Sequence, residues 1–139
     1  MKLMKNKKGI TLVELLAVIV ILAIITAISV PLIGNLISRT EQGAAASDGN
    51  TVFASLRLWA LEDPQDTTVT FAFTGDETAR AAALAALTTA IGPYISALPT
   101  SFEGITFTVA GSAVSVTTAA EAKINGHIVE WDGAAFVRP

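Results

Sequence analysis

The chain of 139 residues contains no cysteine, so a disulfide framework and a thiolate metal site are both excluded. Histidine occurs once, at His127, directly after Asn125-Gly126, where a strand or turn surface position explains it better than a catalytic or metal role. Serine and threonine are plentiful, but no convincing base accompanies them and no triad can be argued. Asp63, Asp66, Asp76, Glu77 and Asp132 lack the regular Asp/Asn-Gly spacing of a calcium loop and read as solvated loop residues. No metal and no cofactor is therefore expected, and the chain is not read as an enzyme. Positive charge is scarce where it would matter most, with no Lys or Arg between Gly9 and Arg39. Polar side chains are absent altogether from Leu15 to Ile25.

What is present is unevenly placed. Lys2, Lys5, Lys7 and Lys8 supply four of the nine basic residues in a short polar leader, MKLMKNKKG, at residues 1–9. Residues 10–30, ITLVELLAVIVILAIITAISV, are almost continuously apolar. About 20 helical residues cross the hydrocarbon core of a bilayer, so this segment is long enough to span. It is apolar on every face, as suits a helix surrounded by lipid or by other helices. The lysines ahead of it predict that residues 1–9 stay in the cytoplasm and that the rest faces outward. Removing residues 1–9 moves the formal charge from -3 to -7 (5 − 12). A product that acidic is not expected to bind nucleic acid directly, because phosphate affinity comes mainly from Lys and Arg.

Pro31 and Gly34 follow the apolar run. Proline in a helix interior loses one hydrogen bond and clashes with the carbonyl four residues back, here Ala27, at a cost of roughly 3 kcal/mol. A kink or weak stretch across Ser29–Gly34 is expected, with helix resuming beyond it. Val52, Leu56, Trp59 and Ala60 fall at helical spacing and predict an apolar stripe that packs on the head, while Arg39, Glu41, Asp48 and Arg57 leave the other faces polar. Glu62-Asp63-Pro64 ends the element. A helix from Ile10 to Glu62 would run roughly 80 Å at 1.5 Å per residue.

The remainder reads as α+β. Thr68–Phe73 alternates like a strand, and Thr78–Ile91 is an alanine-rich helix stopped by Gly92-Pro93. Tyr94–Ser101 reads as a short helical or irregular connection. Ile105–Ala110 and Ala113–Thr118 flank Gly111-Ser112, while Asn125-Gly126 and Asp132-Gly133 mark turns around His127–Trp131. Three or four antiparallel strands are expected to lie on the stripe at Val52–Ala60. Trp59 and Trp131 are read as core or subunit-contact aromatics. The Gly/Ala/Ser stretch at Gly43–Gly49 is the nearest thing to a low-complexity linker.

The sharpest feature is an acid inside the apolar segment. The sixteen residues that follow Glu14 to the end of the segment at Val30 carry no charge. At mid-membrane an acidic side chain costs about 2.5–3.5 kcal/mol on insertion scales; Glu14 lies nearer the edge, but such residues usually have a function and a partner. No cation of the intact segment can serve. A cut after Gly9 would create one, the amino terminus of Ile10, about one helical turn from Glu14.

The string Lys8-Gly9-Ile10-Thr11-Leu12-Val13-Glu14-Leu15-Leu16 closely resembles the prepilin signal of type IV pilins and of type II secretion and competence pseudopilins. The resemblance is strong over residues 5–37 and general beyond. It implies cleavage by a membrane aspartyl prepilin peptidase between Gly9 and Ile10 and N-methylation of Ile10, which stands where phenylalanine is usual. It implies that Glu14 acts in subunit assembly and that Pro31 falls where pilins commonly carry a helix-weakening proline. Ala23 and Ala27, four residues apart, offer a small-residue face on which apolar helices approach closely.

The expected organisation is a leader at 1–9, an apolar filament-core half-helix at 10–33, an amphipathic half-helix at 34–62, and an α+β head at 63–139. The expected fold is type IV pilin-like: a long N-terminal helix on a small antiparallel sheet. The expected function is that of a structural filament subunit, a homopolymer whose other partners are the peptidase and an assembly platform with its cytoplasmic ATPase. Its place is the cytoplasmic membrane as precursor and the cell surface once assembled. A minor or tip pilin or pseudopilin of a secretion or DNA-uptake system, and a single-pass anchored domain that keeps Met1–Gly9, are the alternatives. An ordinary secretory signal fits poorly, because its apolar core is shorter and carries no acid. Lack of cysteine excludes a disulfide-closed C-terminal loop and accords with a Gram-positive-type pilin.

Overall fold

The computed structural model describes residues 11–63 and 65–139, with the side chains of residues 65–67 outside the description. The leader and the Gly9-Ile10 bond therefore lie outside the described residues. In chain order the elements are α1 (Leu12–Glu62), β1 (Gln65–Phe73), α2 (Glu77–Ile91), a single 3-10 turn (Gly92–Tyr94), β2 (Phe102–Gly111), β3 (Ala113–Ile124), β4 (His127–Trp131) and β5 (Phe136–Val137). The chain divides into two compact units, Met1–Ser38 and Arg39–Pro139.

In the first unit α1 is mostly apolar, interrupted by Glu14, Thr26, Ser29, Asn35 and Ser38. Its large side chains from Leu12 to Ile37 keep between 49% and 82% of their surface exposed. Helix is continuous through Pro31 and Gly34, with no interruption across Ser29–Gly34, where a kink or weak stretch was expected. Thr26 returns its hydroxyl to the Leu22 carbonyl at 2.7 Å, which satisfies a polar group that lipid could not.

The second unit is an α+β head built on the C-terminal half of α1. Five strands form an antiparallel meander in the order β1-β2-β3-β4-β5, one strand more than the upper expectation. The added strand is β5, two residues long, too short for any alternation to register. Asn50 of α1 holds it: its amide donates to the Phe136 carbonyl at 2.9 Å and accepts from the Phe136 N–H at 2.6 Å, pairing with β5 much as a strand would.

The buried stripe of α1 comprises Ala45, Ala46, Gly49, Val52, Ser55, Leu56 and Ala60. Val52 and Leu56 fill the core as expected, whereas Trp59 is only partly buried and sits edge-on to Phe71 at 6.1 Å. The Gly/Ala/Ser stretch is the close-approach half of this stripe and not a linker. A Cβ on Gly49 would lie 2.6 Å from Ile124 and 2.7 Å from the Phe136 ring, so only glycine lets α1 approach that closely. Opposite lie Phe73, Phe102, Ile105, Phe107, Val109, Ile124, Val129 and Phe136, with Leu87 and Ile91 from α2. Each such fully buried side chain contributes about 1.5–3 kcal/mol.

A bulge keeps β2 facing this core. Phe102 and Ile105 differ in parity, yet both are buried, because the register shifts between Glu103 and Ile105. Gly104 makes the bend at φ 65. Asp76 caps α2 by accepting the Ala79 N–H at 2.8 Å.

Two polar contacts tie the head together and carry predictions. Asn125, in the left-handed region at φ 51, accepts from the Thr100 N–H at 2.8 Å and donates to Asp48 of α1 at 3.0 Å. Asn125→Asp turns that donor into a second carboxylate against Asp48. It should lower the stability of the full chain in detergent by about 2 kcal/mol at neutral pH, read from the urea midpoint, with much of the loss recovered below about pH 4. An Asp variant as stable as wild type at pH 7 would show that Asn125 does not bridge to Asp48.

Tyr94 donates its hydroxyl to Glu62 at 2.6 Å, and this hydrogen bond, ahead of burial and the charges of Glu62 and Asp63, raises its pKa above the ordinary tyrosine value. Because the folded value is raised, the stabilisation is fully present below the unfolded pKa of about 10 and is lost as pH climbs through the folded one. Tyr94→Phe should abolish this alkaline component of unfolding and leave the neutral-to-acid profile unchanged. An unaltered alkaline limb in the Phe variant contradicts the assignment.

Candidate functional site

The candidate residues that the structure describes lie along α1, and Glu14 stands at its start. Thr11 and Glu14 form a reciprocal capping box. The Glu14 carboxylate accepts, through Oε2, from the Thr11 N–H at 2.9 Å and from the Thr11 hydroxyl at 3.0 Å, while the Thr11 hydroxyl accepts from the Glu14 N–H at 3.3 Å. Helix starts leave four N–H groups without intrahelical partners, and a carboxylate in the first turn also complements the helix dipole. Glu14 was expected to lack a charged partner within the segment, and no cation contacts it among the described residues. It does have a polar partner, which the sequence reading missed. The signal was available in the spacing Thr11-x-x-Glu14 ahead of an apolar run.

One oxygen of that carboxylate is taken. Oε1 accepts no hydrogen bond among the described residues, so Glu14 can hold its cap and still receive an outside donor. Ala23 and Ala27 are exposed on the same helix, four residues apart. Pro31 and Gly34 are exposed as well, and a Cβ on Gly34 would meet nothing within 4 Å. Val52, Leu56 and Trp59 belong to the head and serve its packing, a task separate from that of Glu14. Gly9 and Ile10, the two residues of the expected cut, lie outside the described residues.

The apolar part of α1 has a mean hydropathy of 3.0 over eighteen residues. By length and composition it can cross a membrane, although a signal sequence near an N-terminus meets the same criterion. What the helix needs chemically is plain: from Leu15 to Ile25 its surface is hydrocarbon, and only lipid or other helices can cover it without cost.

The residues weighed for other chemistry have structural tasks. Asp132 accepts the N–H groups of Ala134 and Ala135, both at 2.8 Å, and these bonds hold its carboxyl below the usual range while they shape the turn before β5. His127 opens β4 with Nδ1 3.9 Å from Glu41. Trp131 stacks edge-on with Phe53 at 4.9 Å and Phe136 at 5.0 Å. No group of three or more His, Asp or Glu that could hold a metal occurs among the described residues.

Comparison with known proteins adds one finding. Residues 4–30 match the Prokaryotic N-terminal methylation motif, a stretch that covers the last six residues of the basic leader, the expected cut and the apolar run with Glu14. The chain matches no curated protein and no solved structure. The motif implies processing by a prepilin peptidase and a structural, non-enzymatic role. The chain thus carries a prepilin-type signal, typical of type IV pilins and pseudopilins, ahead of a pilin-like α+β fold.

Proposed function

We propose that this chain is the structural subunit of a type IV pilus or pilus-like filament, cut between Gly9 and Ile10 and polymerised through α1. The observation that carries the reading is Glu14: one carboxylate, with an oxygen open among the described residues, at the head of a helix whose large apolar side chains from Leu12 to Ile37 are exposed. Cleavage would place a new amine on Ile10, the residue the peptidase would also methylate. In a bundle of such helices the amine of one subunit meets Glu14 of its neighbour. A charge pair in a water-poor core is far cheaper than either charge alone, so the pair sets register more than it adds stability. Ala23 and Ala27 give the helices a face for close approach, and the missing N–H at Pro31, with Gly34 beyond, lets the rod stretch locally as subunits pack.

In this scheme residues 10–30 hold the precursor in the cytoplasmic membrane, leader inside and head outside, until an assembly platform and its ATPase draw it into the fibre. Residues 1–9, 10–33, 34–62 and 63–139 would then act as leader, filament core, amphipathic half-helix and head. The acidity of the cut chain speaks against nucleic acid as a direct ligand.

Abundance tests the structural role. Filaments sheared from cells should contain this chain as their main protein. Its recovery as a trace component would assign it instead to a minor or tip position, and its retention in the membrane fraction alone would make it an anchored domain.

A further inference from the structure

The sheet of the head leaves one edge open. β2 pairs with β3 along Ala113–Thr118, but β4 pairs with β3 only at Ala122, Lys123 and Ile124. Two features cause this. Ala119–Ala122 stand opposite the single residue Gly104, a bulge that offsets the halves of β3, and β4 turns away to pair Glu130 and Trp131 with β5. Among the described residues no strand lies beyond Ala113–Thr118, so this edge presents unpaired backbone donors and acceptors to solvent.

Natural edges are usually blunted by Lys, Pro or inward charge. This one is not. No charged residue occurs from Ile105 to Ala120, and β3 there reads Ala-Val-Ser-Val-Thr-Thr, rich in β-branched residues. Val114, Val116 and Thr118 are half-buried on the core side, while Ala113, Ser115 and Thr117 are exposed on the other.

We propose that Ala113–Thr118 pairs edge to edge with the same strand of a second copy, and that this contact joins one filament to another; the inference rests on the filament reading above. An antiparallel pairing about a two-fold axis at Val116 places Val116 against Val116, Val114 against Thr118 and Ser115 against Thr117. Every pair shares a face and none brings charges together. Two acidic copies repel one another over most of their surface, with a formal charge of -7 each after the cut (5 − 12), and the uncharged hairpin is where they can approach. Symmetry decides the level of assembly. A two-fold contact closes on itself and cannot propagate a polar helical fibre, so it links fibres laterally.

The test uses intact cells and sheared filaments viewed by electron microscopy. Ser115→Lys/Thr117→Lys changes two exposed positions and leaves the core face alone. Filaments should form in the wild-type amount, with lateral bundles reduced roughly tenfold by like charges across the edge. Added lysine also lowers the net negative charge, which by itself would favour bundling, so bulk electrostatics predicts the opposite result. Mixing these filaments with Ser115→Glu/Thr117→Glu filaments should restore bundles, because each introduced lysine then faces an introduced glutamate. Undiminished bundling in the lysine variant, failure of the mixture to bundle, or wild-type filaments that stay single would each overturn the proposal. Loss of filaments in the lysine variant alone would place the edge inside the fibre and overturn it too. Absence of filaments from wild type would instead remove the filament reading, and this one with it.

Discussion

Glu14→Ala should leave the peptidase cut intact and reduce assembled filament roughly 100-fold or more. The magnitude follows from the cost of an unpaired charge in a water-poor bundle, about 3–5 kcal/mol, when one partner of a buried pair is removed. Helix capping is the competing explanation, since alanine also breaks the box with Thr11. That loss is only about 1 kcal/mol, at the end of a long helix. Glu14→Gln separates the two effects. Glutamine can still accept from the Thr11 N–H but carries no charge, so it should fail nearly as badly as alanine. Normal filaments from the Gln variant, measured as sheared protein per cell, would reduce Glu14 to a cap.

Gly49→Leu should unfold the head. The Cβ alone would stand 2.6 Å from Ile124 and 2.7 Å from Phe136, and the further carbons have no space to enter. Overpacking of this kind costs about 1–3 kcal/mol and more when backbone must move, so a loss above 3 kcal/mol is expected. Gly49→Ala should also destabilise, despite a gain of up to about 1 kcal/mol from helix propensity. Gly43 provides the control on the same helix, because a Cβ there meets nothing within 4 Å. Gly43→Ala should therefore stabilise by about 0.5–1 kcal/mol. Equal midpoints for the two alanine variants, in denaturant titrations of the full chain, would show that α1 does not approach the sheet as closely as described.

These two sites illustrate what a sequence displays and what it withholds. Glu14 was legible because it breaks a composition: one acid in a run of hydrocarbon is visible without any structure. The stripe at Val52 and Leu56 was legible because large apolar residues recur at helical spacing. Gly49 was hidden, because a small residue chosen for closeness looks like a small residue chosen for flexibility. Only the partners, Ile124 and Phe136, distinguish them, and they lie more than seventy residues away in sequence. β5 escaped for a related reason. Two residues held by the Asn50 side chain show no periodicity, and the clasp is a long-range contact that no local pattern encodes. Trp59 lies on the expected face, packed against the core yet only partly buried, since spacing gives the face of a helix and not how far the opposing sheet extends over it. The Thr11–Glu14 box was available as a motif and was masked by the larger anomaly that Glu14 itself presents.

The cap also sharpens the view of Glu14. Its carboxylate is oriented by Thr11, with Oε2 engaged and Oε1 open among the described residues. A preorganised acceptor loses less freedom when it binds a donor than a mobile one does, which suits the proposed contact with a neighbouring subunit's amine.

The most direct measurement is the N-terminus of the chain recovered from cells with and without the prepilin peptidase. With the peptidase present the chain should begin at Ile10, and without it at Met1. A chain still beginning at Met1 in peptidase-positive cells would contradict the account at its root, because Glu14 would then have no new amine to meet.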